Sequence, residues 1–125
     1  ESLSFSDMEV DAKMINRQSP FSVEEIIHDV IMVEKDAPDM IVCINPTDTI
    51  TAYQILVDYN KVGEIGIIGY YNSEVIERAI ERNIIDSTIV INTGQIGEYS
   101  VETLGEYLDT GMVNEYISVD IDIVE

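Results

Sequence analysis

The chain has 125 residues, with 25 Asp plus Glu against 6 Lys plus Arg, a formal net charge of −19 and 46% hydrophobic residues. That hydrophobic fraction suits one packed domain rather than a disordered segment. The acidity repels phosphates, so it excludes nucleic-acid binding by this segment and disfavours anionic membrane surfaces.

A single cysteine, Cys43, permits no intrachain disulfide. No run of about 18 apolar residues is present to span a membrane. The first residue, Glu1, is neither a methionine nor the start of a signal-peptide pattern, so a processed protein or a piece of a longer one is expected.

Residues 1–7 read as a polar leader. Met8, Val10, Ala12 and Met14 alternate with Glu9, Asp11 and Lys13, and this period of two predicts a half-exposed strand. Arg17 to Pro20 reads as a loop. Ser22, with Glu25 at capping-box spacing, starts a helix whose apolar stripe is Val23, Ile26, Ile27, Val30 and Ile31. Pro38 stops it.

Met40 to Ile44 is an unbroken apolar run, typical of a strand buried on both faces. Asn45 suits a helix N-cap, Pro46 the first helical position and Asp48 the positive end of the helix dipole. This helix is predicted to reach about Lys61, with Ile50, Tyr53, Leu56, Val57 and Tyr59 inward. Gly63 ends it. Ile65 to Tyr70 is a second buried strand. Asn72 or Ser73 then caps a short helix with Val75, Ile76, Ala79 and Ile80 on one face. Asn83 occupies a position that calls for a left-handed residue. Thr88 to Ile91 is a third buried strand. Asn92 with Gln95 caps a last helix that Gly111 ends. Residues 115–124 alternate Ile117, Val119, Ile121 and Ile123 with Ser118, Asp120 and Asp122, which predicts a one-sided edge strand.

The predicted order is β-α-β-α-β-α-β-α-β. It argues for a three-layer α/β domain with a mainly parallel sheet, a single lobe over residues 8–125. In such sheets ligands bind beyond the carboxyl ends of the strands. That rule selects Asn45, the Tyr70-Tyr71-Asn72 loop, and Asn92 to Gln95. Amides and phenols on one rim suit a neutral, hydroxyl-rich molecule, with tyrosine rings stacking on its apolar face. The plainer reading is that the asparagines cap helices and the tyrosines cover helix ends.

Catalytic patterns are thin, and a non-enzyme without cofactor or metal is expected. His28 lies off its helix's apolar stripe and reads as a surface residue. Cys43 sits mid-strand and reads as buried and inert. Gly66 and Gly69 lie inside and at the end of a strand, not in a dinucleotide-type turn. Asp120 and Asp122 read as solvated edge charges or a weak cation site.

From about residue 8 to 124 the sequence resembles the C-terminal lobe of the type I periplasmic sugar-binding proteins. The effector-binding core of lactose-repressor-type transcription regulators shares this lobe. The stretches carrying the resemblance are PDMIVCINPTDTITAYQIL, GEIGIIGYY and AIERNIIDSTIVINTGQIG. Asn45 matches the family's ligand-contacting asparagine. Tyr71 stands at its sugar-binding aspartate, Ile91 at its ligand-contacting glutamine, and Asn83 at its usual turn glycine. With two of three polar contacts changed, the resemblance implies a more apolar ligand or the loss of tight binding.

The resemblance also implies a central strand and helix ahead of residue 8, so the sheet's centre is expected to be filled from elsewhere, by another copy, or by rearranged pairing of the first strand. The expected function is therefore the solute-binding lobe of an extracytoplasmic or surface-anchored protein for a carbohydrate-like molecule. The ligand residues would be Asn45, Tyr70, Tyr71, Asn92 and Gln95. Expected partners are a missing N-terminal lobe and a transporter permease or sensor. The alternative is a cytoplasmic regulator's effector core.

Overall fold

The computed structural model describes residues 7–15, 21–33, 35 and 37–125. The elements run α1 (Phe21–Met32), β1 (Met40–Val42), α2 (Pro46–Asp58), β2 (Gly66–Tyr70), α3 (Glu74–Glu81), β3 (Ser87–Ile91), α4 (Thr93–Thr110) and β4 (Ile121–Val124). Residues 1–6 of the expected leader, the Arg17–Pro20 loop and the Ser22 side chain of the capping box lie outside the described residues.

The strands form one sheet in the order β1-β2-β3-β4. β1–β2 and β2–β3 are parallel, with Met40 opposite Gly66 and Ile68 opposite Ser87. β4 joins β3 antiparallel, with Ile91 opposite Ile121. The α/β class and the mainly parallel sheet are those expected from the alternation of patterns.

Helices α1, α2 and α3 pack as a layer with α2 in the middle and against β2. The core lies between them and the sheet. It contains Val23, Ile27 and Ile31 of α1, Ala52, Ile55 and Leu56 of α2, Ile67 of β2, and Ile76 and Ala79 of α3. Along β2, Ile67 and Gly69 are buried while Gly66, Ile68 and Tyr70 are half-buried, so the core occupies one face of the sheet.

Several expectations need correcting. Residues 8–14 are not a strand and take no part in the sheet. Alternation makes a strand only where a pairing partner and an apolar surface are present, and here Met14 is 95% exposed. β1 is an edge strand rather than a doubly buried one: Met40 and Val42 are exposed, and Ile44 is 81% exposed. On α2, Val57 and Tyr59 face solvent, and Thr49, Ala52 and Ile55 take the inward positions. Val75 on α3 is likewise exposed. His28 is half-buried, its ring edge-on to Tyr59 at 5.0 Å between centroids. β4 is four residues long, not ten, with Ile121 and Ile123 exposed.

Other local readings match. Asn83 is left-handed at φ 55, and Gly111 closes α4 at φ 72. Ser73, not Asn72, caps α3 through Ile76 N.

At two glycines an added Cβ would force a neighbouring side chain to shift. A Cβ at Gly66 would lie 2.9 Å from Asp86 Oδ2, which accepts from Ile67 N at 2.8 Å. Asp86 N in turn donates to Ile67 O at 3.0 Å, so this carboxylate pins the β2–β3 register. At Gly69 a Cβ would lie 2.6 Å from Thr49 Cγ2 and 3.2 Å from Thr88 Oγ1. Both threonines are fully buried.

Burial pushes the Cys43 thiol from the ordinary 9.0 up to about 11. The Asp48 carboxylate adds to that rise, and a hydrogen bond with Thr49 opposes it.

Gly69→Ala is expected to destabilise the chain by about 1–3 kcal/mol, as overpacking does. Adding Thr49→Ser removes the crowding methyl and should recover part of the loss, measured by urea midpoints. For Cys43 the folded chain holds a proton that the unfolded chain releases. Stability should therefore fall as pH rises from 9.0 to about 11, and Cys43→Ala should flatten that fall. The measurement is chemical unfolding across that range, together with thiol labelling at neutral pH, which should proceed only through opening.

Candidate ligand-binding rim

Parallel pairing of β1, β2 and β3 brings the loops after all three strands to one edge of the sheet. Asn45, Tyr70, Tyr71, Asn72 and Asn92 therefore share that edge, as the strand-end rule requires.

Asn45 caps α2. Its Oδ1 accepts from Asp48 N at 2.9 Å, and its Nδ2 donates to the Asp48 carboxylate. Both ends of the amide are thus engaged within the loop. Thr49 Oγ1 donates to Asn45 O at 2.9 Å and accepts from Tyr70 N at 3.1 Å. This hydroxyl ties the start of α2 to the end of β2.

Tyr71 has φ 78, a left-handed conformation that a bulky residue rarely adopts. Its backbone is held from both sides: Tyr71 N donates to Ile89 O at 2.8 Å, and Thr88 Oγ1 donates to Tyr71 O at 2.7 Å. Such over-determination maintains backbone strain. The Tyr71 residue is 49% exposed on this edge. Beside it, Asn72 Nδ2 donates to Glu77 Oε1 at 2.8 Å, while Asn72 Oδ1 is buried without a hydrogen-bond partner.

Asn92 Oδ1 accepts from Gln95 N at 3.0 Å and so caps α4. Gln95 itself is turned to Asp120: its Nε2 donates to Asp120 Oδ2 at 2.6 Å, and its Oε1 accepts from Asp120 N at 2.7 Å. Asn92 N also donates to Asp120 O at 3.0 Å. Asp120, read from the sequence as a solvated edge charge, is a structural partner instead. Among the described residues no three His, Cys, Asp or Glu side chains gather as a metal site.

Of the five expected ligand residues, Asn45 and Gln95 spend their amides on Asp48 and Asp120. Tyr70, Tyr71 and Asn92 have side-chain groups not engaged in this way, while the Asn72 Oδ1 is buried and out of reach of the rim surface. Sequence reasoning missed Thr49 and Thr88, which position the tyrosines. Their signal was a threonine on a helix's first turn and another opening an apolar strand. The resulting surface is one of phenols and amides, able to stack on an apolar face and bond hydroxyls.

No protein-family model matches the sequence, and no curated protein sequence matches it. Solved structures do match the fold. An ABC transporter solute-binding protein from Agrobacterium vitis with bound D-fucose superposes with a TM-score of 0.80 at 19% identity, covering 97% of this chain and 41% of that one. A chain of the XylFII–LytSN complex gives 0.76 at 17%, covering 97% and 42%. The periplasmic component of an ABC-type sugar transport system from Hahella chejuensis gives 0.74 at 15%, covering 83% and 37%. This chain therefore spans less than half the length of these structures. Its α/β fold, with a mainly parallel sheet and the strand-end loops on one rim, is that of a lobe of the periplasmic sugar-binding proteins.

Proposed function

We propose that the chain is one lobe of an extracytoplasmic solute-binding protein and holds a carbohydrate-like molecule on the rim beyond β1, β2 and β3. The observation that carries this is the strained and locked Tyr71, placed beside Tyr70 and Asn92 on that rim. The likeness to sugar-binding folds supports it.

Tyr71 supplies a ring for stacking, Tyr70 a second phenol, and Asn92 an amide for hydroxyls. The rim carboxylates Asp48 and Glu77 accept hydrogen bonds from the amides of Asn45 and Asn72. The lobe binds and orients its ligand and carries out no chemistry on it. A second lobe closes over the ligand by hinge motion, and the closed form is presented to a permease or a sensor. A chain of the XylFII–LytSN complex having this fold supports the sensor branch.

Calorimetry of the full-length gene product with D-fucose and other aldohexoses and aldopentoses should show saturable binding. Tyr71→Ala should weaken it by tenfold or more, about 1.4 kcal/mol. Unchanged affinity would remove Tyr71 from the site. Tyr71→Gly separates strain from contact. It relieves the left-handed backbone, so thermal stability should hold or rise by up to ~1 kcal/mol, while affinity falls as for the alanine variant.

A further inference from the structure

Thr88 is fully buried in β3, so it is out of reach of any molecule held on the rim. Its hydroxyl nevertheless acts on the rim, donating to Tyr71 O at 2.7 Å. The next residue of β3 takes the other polar group of the same residue, since Tyr71 N donates to Ile89 O at 2.8 Å. Two consecutive strand residues therefore hold both ends of the one bulky rim residue that sits at φ 78.

The position of the Thr88 hydroxyl is itself fixed. Thr88 is paired on both sides, with Gly69 of β2 and Val124 of β4. A Cβ at Gly69 would lie 3.2 Å from Thr88 Oγ1, so the hydroxyl packs directly on that glycine. Tyr71 O is thus tied to a paired strand and not to another part of its loop.

Magnitudes decide what this bond does. A left-handed backbone costs a residue with a side chain about as much as one hydrogen bond contributes. The Thr88 bond is therefore of the right size to choose between two backbone states of Tyr71. With it, the left-handed state holds the ring in one direction on the rim. Without it, the backbone relaxes toward an extended state and the ring is aimed elsewhere. Apparent affinity scales with the population of the competent state.

Resting on the reading of this rim as a ligand site, we propose that Thr88 is its positioning residue. A buried hydroxyl that does not touch the ligand sets the affinity, by keeping the Tyr71 backbone in the state that binds.

The test uses the full-length gene product, with D-fucose as the probe in calorimetry. Thr88→Val keeps the shape of the side chain and removes the hydroxyl, and affinity should fall about tenfold. Thr88→Ser keeps the hydroxyl and should bind within about twofold of the unsubstituted protein. Glycine adopts the left-handed state unaided, so in a Tyr71→Gly background Thr88→Val should cost less than about twofold. A general loosening of the sheet would weaken both backgrounds equally, and that result would overturn the proposal. Unchanged affinity in Thr88→Val would overturn it too. Amide exchange gives a reading that needs neither ligand nor variant. In the unsubstituted protein the Tyr71 amide should exchange as slowly as the amides within β2, and exchange at the rate of an open loop would reject the assignment. In Thr88→Val that amide should exchange at least tenfold faster while the amides of α2 keep their rates. If the unsubstituted protein binds no aldose, the functional reading fails and takes the role of Thr88 with it. Binding that Thr88→Val leaves intact would sink the role of Thr88 alone.

Discussion

The architecture turns on one crowded point, where Gly69 lies between the side chains of Thr49 and Thr88. Thr49 comes from the first turn of α2 and Thr88 from β3, so the end of β2 passes between a helix and its neighbouring strand. Both hydroxyls are fully buried, and each is satisfied by backbone of the rim: Thr49 by Asn45 and Tyr70, Thr88 by Tyr71. A buried hydroxyl without partners would be costly, so these bonds fix where the rim backbone lies. The hydrophobic core below fixes the layers, and this polar pinch fixes the loops above.

At the opposite end of β2, Asp86 plays the complementary part. It accepts from Ile67 and crowds Gly66, so the strand is registered at its entry as well as at its exit. One carboxylate and two hydroxyls therefore set the central strand against its neighbours. Asp86, Asp48, Glu77 and Asp120 accept backbone or amide hydrogen bonds, and the other acids among the described residues are exposed.

Much of this was legible in the sequence. Helix starts at Asn45 and Asn92, the left-handed turn at Asn83 and the three parallel strands follow from residue types whose effects are local. What escaped depends on partners distant in the chain. Period two at residues 8–14 could not reveal that this segment is outside the sheet, because alternation records a face and not a pairing. The apolar run at Met40 to Ile44 looked central because it is continuous, yet β1 is an edge. On the rim, the residue types of Asn45 and Gln95 suggested ligand contacts. Their amides are committed to Asp48 and Asp120, and the Gln95–Asp120 pair spans a long sequence separation. The ring of Tyr71 is legible in the sequence, while its left-handed backbone, the stronger sign of a specialised position, depends on Thr88 and Ile89.

The bonds joining Asn92, Gln95 and Asp120 have a mechanical meaning. The chain leaves the lobe at Asn92, runs through α4 and the segment after it, and returns at Asp120, so both ends of this excursion are clasped at a single point. The stretch from Thr93 to Val119 is therefore a closed excursion whose two ends are tied together at the edge of the sheet, so its start and its return move as one unless these three bonds break.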